Sequence, residues 1–182
     1  MTNFVNDIDT AALKETIKAV AADPAKGMMA FTVNSKWDGQ FRSEARPGDI
    51  VLGGQNLHRD FLIEADEPEE LLGKNSGANP QEILMAAMNA CMIVGYVSQA
   101  AMMGVTLTKL EIKTEGELDL RGFLGIDPTI KPGYETINYA VAIAGNGTVE
   151  QFEEMHENVN RLSPNRYNVA MPIYLTSTLT VE

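Results

Sequence analysis

From Ile83 to Thr108 the chain carries no charged residue. Apolar side chains there (Ile83, Leu84, Met85, Met88, Ile93, Val94, Tyr96, Val97, Met102, Met103) fall on nearly every side of a helical wheel, as in a helix surrounded by protein. The start is well marked. Asn79 is a good N-cap, Pro80 at the first helical position surrenders an amide that lacks a partner anyway, and Glu82 can reach back to the cap. Gly104 supplies a stop. A helix from Pro80 to Met103 is about 36 Å long at ~1.5 Å per residue, enough to cross a small domain. A membrane span is the rival reading. It is disfavoured by Asn89, Ser98 and Gln99, by the absence of a flanking basic cluster, and by the alternating strand pattern that follows at once.

Upstream, Leu13, Ile17, Val20 and Ala21 form one stripe of a helix predicted from Thr10 to Ala22 and ended by Asp23-Pro24. Two short strands are predicted over about Ala30 to Lys36 and Gln40 to Ala45, joined by Trp37-Asp38-Gly39, where Asp-Gly is a hairpin signal. Arg46-Pro47-Gly48-Asp49 makes a turn. A third strand is predicted around Leu57 to Glu64, before an acidic, glycine-containing loop from Asp66 to Ala78.

Downstream, Leu110, Ile112, Thr114, Leu118 and Leu120 alternate with charged residues, the period of a strand with one wet face. Ile137, Tyr139, Val141 and Ile143 repeat the pattern. Thr148 and Gln151 form a capping box for a helix to about Leu162, with Phe152, Met155, Val159 and Leu162 facing inward. A closing strand is predicted from Ile173 to Glu182. The order of elements indicates an α+β protein with mainly antiparallel sheets around a long central helix. At 182 residues it suits a single domain over 1–182, with a helical N-terminal extension over about 1–28.

Charge narrows the partners. With 25 acidic against 14 basic residues the formal net charge is −11, which repels a phosphate backbone and an anionic membrane surface, so neither nucleic acid nor membrane is expected as a partner. One cysteine excludes an intramolecular disulfide. Together with an N-terminus lacking the basic and apolar segments of a signal peptide, it leads to a cytoplasmic expectation. Two histidines and one cysteine without ligand-like spacing predict no metal, and no cofactor is expected.

The run Gly77-Ala78-Asn79-Pro80-Gln81-Glu82-Ile83-Leu84 with Cys91 following, and the later turn Leu162-Ser163-Pro164, resemble the OsmC/Ohr superfamily of osmotically inducible and organic hydroperoxide resistance proteins. The resemblance extends from the Trp37-Asp38-Gly39 hairpin to the last predicted strand. It implies an intertwined homodimer with active sites at the subunit interface. In the family's peroxidases a cysteine on the central helix attacks the hydroperoxide, a second cysteine in the later turn resolves the sulfenic acid, and an Arg and a Glu hold the first thiol as thiolate. On that basis Cys91 is the nucleophile candidate, Arg59 or Arg42 its cationic partner, and Glu82 the carboxylate.

Two departures accompany the resemblance. Ser163 stands where the resolving cysteine is expected, so a disulfide cycle within the chain is impossible. Neutral Gln81 occupies the expected carboxylate position, and Glu82 points about 100° away around the helix. Gln81, Met88 and Ser163 are candidates to line a small-molecule pocket. Two functions stay open: a single-cysteine peroxidase recycled by an external thiol, and a non-catalytic dimer that binds an apolar or thiol-bearing small molecule. For each residue a plainer role competes: a buried inert thiol for Cys91, solvated strand arginines for Arg59 and Arg42, a helix cap for Glu82.

Overall fold

The computed structural model describes residues 4–181; Met1 to Asn3 of the expected N-terminal extension, and Glu182 of the expected closing strand, lie outside the described residues. The chain divides into two compact units, Met1–Ala86 and Ala87–Glu182, with the boundary inside the long helix.

The first unit begins with a two-stranded ribbon, β1 (Phe4–Val5) and β2 (Ile8–Asp9), and helix α1 (Thr10–Ala22). Asp9 caps α1 by accepting from the amides of Ala11 and Ala12. Two small antiparallel sheets follow. One joins β3 (Met29–Ala30), β6 (Ile50–Leu52) and β7 (Gln55–Leu57). The other joins β4 (Val33–Trp37), β5 (Ser43–Pro47) and β8 (Ile63–Ala65). The Asp38-Gly39 turn closes the β4–β5 hairpin as predicted, with Gly39 at φ 88°. A second hairpin turns on Gly53-Gly54, at φ 55° and 83°, a conformation that glycine adopts without strain. This pair joins β6 to β7, and the strand predicted around Leu57 to Glu64 is not continuous: Leu57 ends β7, and residues 58–62 carry no strand before β8.

The acidic loop after β8 is organised around a buried carboxylate. Asp66, 1% exposed, accepts from the amides of Glu67, Lys74 and Ser76 and from the Ser76 hydroxyl. These bonds, led by the Ser76 hydroxyl, hold its carboxyl down at about 2 against desolvation. Among the described residues of this unit no apolar side chain is buried.

Helix α2 (Pro80–Met103) has the predicted boundaries. Gly104, at φ 71°, ends it, with Val105 N donating to Ala100 O in the backward bond that closes a helix C-terminus. In the second unit β9 (Leu107–Gly116) and β10 (Ile137–Gly145) form a long antiparallel hairpin. The short α3 (Leu120–Phe123) lies in the connection, where the alternating pattern had suggested continued strand. Helix α4 (Val149–Leu162) carries the predicted Thr148–Gln151 capping box. A short α5 (Pro164–Ala170) follows directly, beyond the Leu162-Ser163-Pro164 turn that the sequence indicates.

The core lies in this second unit: Met88, Met92, Tyr96, Ala100, Val105, Met155 and Val159, flanked by the inward residues Leu110, Ile112, Val141 and Ile143 of the hairpin. Leu162, expected inside, is 54% exposed because α4 ends there and the chain turns into α5. No strand occurs among residues 172–181. That segment offers alternating apolar side chains, yet no neighbouring strand in the described chain takes its backbone bonds.

By length and composition alone α2 could cross a membrane. One side carries Met88, Met92, Tyr96 and Ala100 into the core, while Val94 is 66% exposed.

Candidate functional site

Cys91 is positioned by α2 and α4. The contacts between these helices step backward along the later chain as they step forward along α2. Asn165 Nδ2 donates to Ala87 O at 2.9 Å, and Ser163 Oγ lies 3.4 Å from Cys91 Sγ. Gly95 meets Val159, and Tyr96 Oη lies 2.5 Å from His156 Nδ1. The two helices therefore run antiparallel, with Cys91 opposite the α4–α5 junction. Gly95 permits the approach, since a Cβ there would stand 3.1 Å from Val159 Cγ2.

Cys91 is a free, half-buried thiol. Ser163 is 5% exposed, and its hydroxyl donates to the sulfur. Of the three pocket candidates, Ser163 stands against Cys91, Met88 is packed in the core, and Gln81 is exposed. Arg166, which the sequence reading passed over, anchors the same junction. Its Nε donates to Tyr139 Oη at 2.7 Å and its Nη1 to Asn160 O at 2.7 Å, while Tyr139 donates to Asn160 Oδ1 at 2.6 Å. Its position just past the Ser163-Pro164 turn was the available signal. Below it, buried Tyr96 has its phenol pushed up to about 12, first by desolvation and then by Tyr139.

The remaining candidates lie in the first unit. Arg42 is held by Asp38, Glu64 and, at 3.3 Å, Glu44. The hydrogen bond with Glu64 is the main cause that raises its pKa beyond the ordinary arginine value. Its charge is thus matched by carboxylates from β5, β8 and the β4–β5 turn. Arg59 lays its guanidinium over Phe61, 4.6 Å from the ring centroid. The Glu82 carboxylate accepts from Asn79 N at 2.8 Å, while Asn79 Oδ1 accepts from Gln81 N at 2.7 Å. That reciprocal pair is the helix-cap role weighed for Glu82. Among the described residues no cluster of His, Cys, Asp and Glu could hold a metal ion.

Residues 73–176, which include α2, Cys91 and Ser163, match the family model described as OsmC-like protein. The chain belongs to the OsmC-like family. Its fold is similar to that of an OsmC-like protein from Mycoplasma pneumoniae, at 16% identity and a TM-score of 0.60, covering 78% of this chain and 87% of that one. It is also similar to an OsmC-like protein of unknown function from Vibrio cholerae, at 15% identity and a TM-score of 0.53, covering 76% and 92%. At these identities the likeness establishes the fold. No curated protein matches the sequence. The α+β, antiparallel, central-helix architecture expected of an OsmC-like chain is the one found.

Proposed function

We propose that this OsmC-like protein is a single-cysteine, thiol-dependent peroxidase acting on organic hydroperoxides. The observation that carries this reading is the placement of the sole thiol: Cys91 lies on α2 inside the family-matched region, with a buried hydroxyl donating to its sulfur. The Cys91 thiolate attacks the terminal oxygen of ROOH; an S–O bond forms, the O–O bond breaks, and RO⁻ takes a proton to leave as ROH. The transferred oxygen keeps its hydrogen, so the sulfur becomes a sulfenic acid. An external thiol then attacks that sulfur, expelling water and forming a mixed disulfide, and a second thiol releases Cys91. The balance is one hydroperoxide and two thiols to one alcohol, one water and one disulfide. Ser163 cannot close an internal disulfide, so the reductant must come from outside the chain.

The protein is proposed to work as a homodimer in the cytoplasm. Among its described residues the first unit buries no apolar side chain, and Trp37, Phe31 and Val33 are 76%, 67% and 56% exposed. In the second unit Leu175, Leu179 and Val181 are 89%, 85% and 84% exposed, at alternating positions of a segment without a strand partner. Apolar surface of this extent marks an interaction face, and a second copy carries the complementary elements.

The involvement of Arg42 with three carboxylates favours the second reading, a non-catalytic dimer holding an apolar or thiol-bearing small molecule. Consumption of cumene hydroperoxide with a dithiol present, by wild type and Cys91→Ser, separates the two. Loss of peroxide that requires Cys91 supports the peroxidase, and identical traces support the binding protein.

A further inference from the structure

Ser163 is the N-cap residue of α5, yet its side chain makes no capping hydrogen bond. An N-cap serine ordinarily accepts from the first-turn amides. Here the hydroxyl is buried and donates to Cys91 Sγ at 3.4 Å. Its direction is fixed from three sides. Ser163 N donates to Val159 O at 3.0 Å, Asn165 ties the junction to Ala87 O on α2, and Arg166 ties it to β10 and α4 through Tyr139 and Asn160.

We propose that Ser163 is a second functional group of the Cys91 centre, whose hydroxyl hydrogen bond favours the thiolate over the thiol. A thiolate is a much stronger acceptor than a thiol, so a donor held against the sulfur binds the charged form preferentially. Such a bond favours the charged form whether or not a cation also neighbours the sulfur. It also keeps the position opposite Cys91 filled by a group that forms no disulfide. The role rests on Cys91 being the reactive centre proposed above, and its test does not depend on peroxide.

The experiment compares wild type with Ser163→Thr and Ser163→Val, which differ from each other chiefly in the hydroxyl. Alkylation of Cys91 by iodoacetamide is timed from pH 6 to 10, with circular dichroism to verify folding. The expected result is that Thr follows wild type, whereas Val reacts about tenfold more slowly near neutral pH and converges with it at high pH, where every thiol is ionised. Coincident Thr and Val profiles, or a Val deficit equal at every pH, overturn the proposal. Should Val not fold, Ser163→Ala is compared with wild type by the same criterion. Cumene hydroperoxide is tested in parallel: if Thr and Val separate in alkylation while wild-type Cys91 resists peroxide, the Ser163 role stands and the peroxidase reading fails.

Discussion

Gly95 faces Val159 so closely that one added carbon would sit 3.1 Å from Val159 Cγ2. The contact lies four residues from Cys91 on α2 and four from Ser163 along α4, so it sets how near the sulfur and the hydroxyl come. Gly95→Ala gains about 1 kcal/mol in helix propensity and loses about 1–3 kcal/mol to overpacking. The expected net effect is a loss of about 1 kcal/mol in urea unfolding. A gain would mean that α4 yields freely and that the spacing is not enforced here.

Glu82 is expected to act on the helix rather than on the thiol. Its carboxylate is engaged by the amide of Asn79. Glu82→Ala should destabilise by about 1 kcal/mol, a typical value for a lost cap, while Cys91 alkylates at the wild-type rate. Unchanged stability with a slowed thiol would return Glu82 to the site.

Much of this was legible in the chain because local chemistry specifies it. The Asn79-Pro80 start and Gly104 stop of α2, the Thr148–Gln151 box and the alternation in β9 and β10 are signals whose partners lie within a few residues. The Gly53-Gly54 hairpin was equally local, since its signal is the glycine pair itself. Helix α5 was hidden because Ser163-Pro164 reads as a helix end and also serves as the start of the next helix. The absence of a strand over 172–181 has a different cause: its alternation is real, but a strand requires a partner, and sequence periodicity does not say where that partner lies. Of the candidate site, Cys91 and Ser163 were named through the family resemblance, and the structure places their side chains 3.4 Å apart. Arg166 was not, since its role depends on Tyr139 and Asn160 arriving from two other elements.

The loop after β8 carries its own pH dependence. Asp66 is held at about 2, below the ordinary carboxyl value of about 3.9. Because the folded value is the lower one, its contribution is complete above about pH 3.9 and is lost as the pH falls through about 2. Asp66→Asn should leave the segment from 67 to 78 open to protease at neutral pH, where wild type resists. Equal cleavage rates would show that the four hydrogen bonds to Asp66 do not hold the loop.

Val94, 66% exposed on a helix whose opposite face is in the core, is the residue to charge in testing assembly. Wild type is expected to elute as a dimer in size-exclusion chromatography with light scattering, and Val94→Glu to shift toward monomer with its helical circular dichroism retained. Monomeric wild type at micromolar concentration would remove the homodimer.

The central claim is that Cys91 reduces an organic hydroperoxide and is restored from outside the chain. Intact mass spectrometry after brief exposure to stoichiometric cumene hydroperoxide tests it most directly, with wild type beside Cys91→Ser. The account predicts a gain of one oxygen in wild type alone, removed by a small dithiol and otherwise persisting or progressing to higher oxides. An unchanged wild-type mass, or the same gain in Cys91→Ser through methionine oxidation, would contradict it.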